Sequence, residues 1–211
     1  MKKAILASIL FCGFCTATQA GLMNGSFEEG LSSWSSAGGL VTTRVLESSF
    51  TGNSYHPTDG AQFAVLTAGA PVTLLKTVFQ AEPGDTIRFD WAFLAFDYLP
   101  YNDYGAWVLG AVIDGFTYEA AILANILDVG DFGETGWMST AFTLPASHAG
   151  PVQIGFTATN VQDGLLHSKL LVDNVHVTAA AVPEPGVLGL FGLGFIGLGF
   201  SLRGRKRKAV R

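Results

Sequence analysis

Residues 89–96 read Phe-Asp-Trp-Ala-Phe-Leu-Ala-Phe, and parity sorts them. On an extended strand Phe89, Trp91, Phe93 and Ala95 share one face, and Asp90, Ala92, Leu94 and Phe96 the other. The same period of two recurs in short β-rich runs from residue 21 to residue 177. It predicts strands over Gly21 to Phe27, Leu40 to Leu46, Ala61 to Thr67, Val72 to Gln80 and Thr86 to Phe96. Further strands are expected over Tyr104 to Ile113, Phe116 to Leu123, Trp137 to Leu144, Val152 to Thr159 and Lys169 to Val177. Turn residues punctuate the series at Glu82-Pro83-Gly84-Asp85, Asp114-Gly115 and Gln162-Asp163-Gly164. Asp114-Gly115 has a strand candidate on each side and predicts a hairpin. Ala120 to Asp128 reads as strand or as a short helix. About ten short strands without a long amphipathic helix imply an all-β domain, a two-sheet sandwich of eight to ten strands.

The two ends are built differently from the middle. Residues 1–20 have the three-part order of a secretory signal: Lys2 and Lys3, an apolar centre from Ala4 to Phe14, then Thr18-Gln19-Ala20 with small residues where a signal peptidase reads. A short buried N-terminal helix is the plainer alternative. Cys12 and Cys15 lie inside this segment, so a mature chain starting at residue 21 has no disulfide, thiol nucleophile or cysteine metal site. Of the 12 Lys and Arg residues, only Arg44, Lys76, Arg88 and Lys169 fall in residues 21–182. Those four face 16 of the 17 acidic residues, a net charge of −12. Such a domain repels nucleic acid and anionic membranes, and suits a divalent cation or a neutral polymer.

Near the C-terminus Val182-Pro183-Glu184-Pro185 can continue neither a helix nor a central strand. An apolar, glycine-rich run follows over residues 187–202, and a basic tail over 203–211. The run is near the lower length limit for a transmembrane helix, roughly 17 residues. Glycines are tolerated there because helices in lipid pack through them. The basic end should stay cytoplasmic.

This order, with Pro183, Glu184 and Pro185 as its recognition element, resembles the PEP-CTERM sorting signal of Gram-negative bacteria. The resemblance implies three segments: a signal peptide over 1–20, a β domain over 21–181 and a sorting signal over 182–211. It implies processing by an exosortase after transient anchoring in the inner membrane, then a place at the cell surface or in a biofilm matrix. A plain membrane anchor with a proline-rich stalk is the alternative.

Residues 22–34, Leu-Met-Asn-Gly-Ser-Phe-Glu-Glu-Gly-Leu-Ser-Ser-Trp, resemble the opening of galactose-binding-like and carbohydrate-binding-module jelly rolls. Residues 171–177 resemble their closing strand, and residues 57–66 a strand entry common in PEP-CTERM jelly rolls. The resemblance places Phe27 in the core, Trp34 where the chain turns, and the first strand beside the last. It also implies a structural calcium held by Glu28 and Asp173, with main-chain carbonyls from Asn24 or Asn53. Calcium takes six to eight oxygens, many from carboxylates and carbonyls. No EF-hand loop is present, and the same two carboxylates could equally cap turns.

Residues 97–104 carry three tyrosines, two aspartates and an asparagine. Tyrosine joins an apolar ring to a polar tip, which suits a sugar. Tyr98, Tyr101, Asp103 and Tyr104 are therefore the candidate ligand-binding residues; the alternative is a loop packed on a sheet edge. Asp97, Asp103, Glu119 and Asp131 offer carboxylate pairs of the kind a glycosidase needs, as any acidic β domain does. His56, His148, His167 and His176 lack metal-ligand spacing, and no serine sits in a nucleophile-elbow context. The expectation is a secreted, sorted, non-catalytic protein that associates with exopolysaccharide. A ligand-free structural surface protein and a glycoside hydrolase are the alternatives.

Overall fold

A computed structural model describes residues 21–69 and 72–181. The chain divides into two units, Met1–Ala179 and Ala180–Arg211, and every element below belongs to the first. The expected signal peptide, the Pro183-Glu184-Pro185 element and the span over 187–202 lie outside the described residues. Among the described residues no helix is long and apolar enough to cross a membrane.

The strands are β1 (Ser35–Ala37), β2 (Gly39–Thr43), β3 (Leu46–Glu47), β4 (Ser54–Tyr55), β5 (Phe63–Thr67) and β6 (Thr73–Gln80). They continue with β7 (Thr86–Leu94), β8 (Tyr104–Ala111), β9 (Thr117–Asn125), β10 (Met138–Thr143), β11 (Pro151–Thr159) and β12 (Lys169–Thr178). One five-stranded sheet has the order β1-β6-β11-β8-β9, the other β10-β7-β12-β5-β2, and β3 pairs with β4 alone. All these strand pairs are antiparallel. The fold is the all-β two-sheet sandwich that the alternation predicts.

Parity decides what lies between the sheets. Phe89, Trp91 and Phe93 point inward from β7 and meet Trp107, Ile154 and Phe156 from the facing sheet in one core. Phe156 sits among aromatic rings, 4.9 Å from Phe89 and 6.3 Å from Trp34. Phe27 is fully buried and packs 5.2 Å from Trp34, as expected.

The C-terminal part of the other face of β7 is buried too. Ala92 and Leu94 join Phe63, Val65, Leu171 and Tyr55 in a second cluster, with Leu46, Phe96 and Trp137 packed against it. The β3–β4 hairpin thus covers the outside of the second sheet. Glu134 fastens it by accepting from the Thr51 hydroxyl at 2.5 Å and from the Asn53 amide. Burial, then the Glu134 charge, pushes the Tyr55 hydroxyl up to about 12.

Three local expectations change. Residues 21–27 form turns instead of a strand, with Asn24 and Phe27 both at φ 55°. The Asn24 side chain closes this turn: Oδ1 accepts from Glu29 N, and Nδ2 donates to the Gly30 and Ser32 carbonyls. A side chain that satisfies its own neighbours this way competes with a sheet ladder. Ala120 to Asp128 splits into the end of β9 and a one-turn helix, α1 (Ile126–Val129), which begins at a capping box of Asn125 and Asp128. The short strands β1, β3 and β4 carry too few residues for periodicity to show.

Candidate functional site

Three loops meet at the end of the sandwich where β7 stops and β8 starts. Residues 97–103 form the first. The Phe132 amide donates to the Asp97 carbonyl at 3.1 Å, and the Leu99 amide to Asp131 Oδ1 at 3.0 Å, which brings in the second. The third, residues 160–168, is held by Asp103. Its Oδ1 accepts from Val161 N at 2.9 Å and its Oδ2 from Ser168 N at 3.2 Å.

These loops carry an aromatic cluster. Tyr98 meets Tyr101 edge-on at 5.6 Å and Phe132 at 5.8 Å. Phe132 stacks on Phe50 at 4.5 Å, and Phe50 meets Phe96 at 5.3 Å. The Lys169 ammonium lies 5.3 Å from the Phe96 ring centroid. Phe50 is 48% exposed and Tyr98 41%, so the cluster presents ring surface to solvent. Phe132 holds φ 56°, a conformation that costs a bulky residue roughly 1–2 kcal/mol. Leu99, Leu165 and Leu166 are exposed on the same loops.

The four candidate residues therefore part company. Tyr98 and Tyr101 belong to the cluster. Asp103 is fully buried and fixes loops from beneath, so it offers no surface to a ligand. Tyr104 is the first residue of β8, half-buried and paired with Asn125 and Thr159. Phe50 and Phe132 escaped the sequence reading because each is a lone aromatic in a loop, far along the chain from Tyr98. Of the four acids a glycosidase reading would draw on, Asp97 and Asp103 are fully buried, Glu119 is half-buried and Asp131 is exposed.

Glu28 and Asp173 each bind one loop, residues 58–62. Asp173 Oδ2 accepts from Thr58 N at 2.7 Å, from the Thr58 hydroxyl at 3.2 Å and from Asp59 N at 3.1 Å. Its Oδ1 accepts from Asn174 N at 2.7 Å. Glu28 Oε1 accepts from Ala61 N at 2.6 Å and Gln62 N at 2.9 Å. Burial raises the Asp173 carboxyl above the usual carboxylate range, against the pull of those amides. The expected carbonyls are committed elsewhere: Asn24 O accepts from Trp34 Nε1 and Asn53 O from Ser48 N. A depression of about 390 Å³ opens beside Glu28, lined by Met23, Asn24, Ser26, Glu29 and Ser33 among others. Among the described residues no three acidic, histidine or cysteine side chains converge as a ready-made metal cage. As arranged, the two carboxylates clamp residues 58–62.

Comparison with known proteins bears on the C-terminus first. Residues 181–207 match the family model of the PEP-CTERM protein-sorting motif. The chain carries that sorting motif. A PEP-CTERM motif implies export and sorting to the cell envelope. No curated protein matches the chain. Among solved structures the chain is similar to TmCBM61 in complex with β-1,4-galactotriose: TM-score 0.51 and 13% identity, covering 77% of this chain and 99% of that one. It is also similar to CBM27-1 of Caldicellulosiruptor saccharolyticus in complex with mannohexaose, at TM-score 0.47 and 11% identity over 72% and 93%. The enzymatically active domain of bacteriophage CBA120 tailspike protein 4 matches at TM-score 0.45 and 14% identity over 75% and 21%. The likeness to TmCBM61 shows that the described domain has a sandwich fold of the carbohydrate-binding-module type.

Proposed function

We propose that this is a non-catalytic surface protein that binds polysaccharide through Tyr98, Tyr101, Phe132 and Phe50. The aromatic cluster carries the reading. Exposed apolar patches on a folded domain mark interaction sites, and rings with polar tips suit the faces and hydroxyls of a sugar. The net acidic domain favours a neutral polymer. The partners proposed for delivery are a signal peptidase, then an exosortase acting at Pro183-Glu184-Pro185 while the C-terminal segment sits in the inner membrane. The destination proposed is an exopolysaccharide matrix. TmCBM61 was solved with a β-1,4-galactotriose, which makes β-1,4-galactan a sensible first probe beside matrix polymer.

Affinity electrophoresis on those polymers is expected to retard the protein. The double variant Tyr98→Ala/Phe132→Ala should weaken retention at least tenfold, about 1.4 kcal/mol. Equal retention of variant and parent would sink the assignment of the site. Retention on no polymer at all would favour a structural surface protein without ligand, and release of reducing sugar would favour a hydrolase.

Calcium at Glu28 and Asp173 forms the second part of the proposal. Its support is the donor chemistry, two carboxylates facing one loop, which suits a hard cation. EDTA is expected to lower the melting temperature of the parent, with a smaller shift for Glu28→Gln. An EDTA shift identical in both proteins would remove calcium from this position.

A further inference from the structure

Asp97 is fully buried, yet one of its carboxyl oxygens, Oδ2, has no hydrogen-bond partner. Its Oδ1 accepts from Tyr98 N at 2.8 Å. Neither protonation state settles Oδ2. As a carboxylate it lacks a donor, and as an acid it lacks an acceptor, so either form is left unsatisfied. A second buried oxygen in the same group of loops is also unpartnered: Asn160 Oδ1, next to the Val161 amide that Asp103 holds. The Asn160 Nδ2, by contrast, is used, donating to Leu165 O at 3.1 Å and lying 3.1 Å from His167 Nδ1. Among the described residues the third unpartnered buried side-chain atom, Glu134 Oε2, is an oxygen as well. Burial, and then the charges of Asp103, Asp163 and Asp131, push the Asp97 carboxyl upward, against the Tyr98 amide. Four acidic groups crowd this end of a domain with four basic residues in all.

We infer that Asp97 anchors a divalent-cation site of the calcium type at this end of the sandwich, with the Asn160 side-chain oxygen as a second ligand. No carboxylate cage is required, because calcium completes its shell with carbonyl and water oxygens. A cation there supplies the partner Oδ2 lacks and offsets the like charges of Asp103, Asp131 and Asp163. It also holds residues 97–103 against residues 160–168, beneath Tyr98. The site is separate from the Glu28–Asp173 clamp and stands whether or not the aromatic cluster binds sugar.

Calorimetric titration of calcium into the chelator-stripped full chain, held in detergent, tests it. Asp97→Asn should weaken one calcium site at least tenfold. Asp131→Asn keeps the acceptor for Leu99 N and should weaken it severalfold by loss of charge. Asp114→Asn, about 25 Å away at the far end of β8, should leave it unchanged, as should Glu28→Gln. No calcium binding by the parent, or equal affinity and stoichiometry in the parent and Asp97→Asn, overturns the inference. Should Asp97→Asn fail to fold, Asp131→Asn decides, and an unchanged affinity there overturns it equally.

Discussion

Gly25→Ala is expected to lower the melting temperature by roughly 6–12 °C, the equivalent of about 3 kcal/mol in a domain of this size. Gly25 lies against the end of β12, where the Val175 amide donates to its carbonyl at 3.0 Å. A methyl group on Gly25 would sit 1.7 Å from the Val175 carbonyl oxygen and 2.8 Å from a Leu22 methyl carbon. The first obstacle is backbone and cannot rotate away. The opening turn and the closing strand would have to separate, which breaks the 3.0 Å bond and loosens Phe27 in the core. Overpacking alone costs roughly 1–3 kcal/mol, and the lost bond adds to it. Gly21→Ala is the control, since nothing lies within 4 Å of its added carbon. Thermal melts followed by circular dichroism compare the two. A Gly25→Ala melt within a degree of the Gly21→Ala melt would mean that the seam between the termini is not packed as described.

Asp103→Ala should cost about 3 kcal/mol as well. It strips the buried Ser168 amide and the half-buried Val161 amide of their acceptor. Each unsatisfied buried group costs roughly 1–3 kcal/mol. Asp103→Asn retains one acceptor oxygen and should lose about half as much. The melting temperature of Asp103→Ala is therefore expected to fall by roughly 6–12 °C. A residue that met a ligand directly would behave the other way, with binding lost and the melt unchanged. Chemical denaturation of the two variants beside glycan retention separates these outcomes. An unaltered melt with lost retention would return Asp103 to the ligand surface.

The alternation of Phe89, Trp91 and Phe93 with their neighbours predicted an inward face and hence a sandwich, because side-chain direction in a strand follows from adjacent residues alone. Leu94 and Phe96 show the limit. They sit on the opposite parity, yet Leu94 is buried and Phe96 half-buried, under a hairpin of two-residue strands too short to carry a period. The carboxylates show it again. Glu28 and Asp173 were read as sharing a calcium; each accepts from different amides of residues 58–62, and no spacing rule could assign those amides to it. Asp103 looked like a surface acid because its neighbours are tyrosines; its burial comes from loops about 60 residues further on.

What the amino-acid order determined by itself was an acidic, cysteine-poor series of alternating strands with a sorting motif at its end. Strand period and charge are local quantities, and they can be read from adjacent residues. The tertiary structure alone decided that Phe50, Tyr98 and Phe132 share one exposed cluster and that Asp97 lies beneath it with an unpartnered oxygen. Those meetings follow from the order of strands in two sheets, and hence from pairings between residues far apart in the chain.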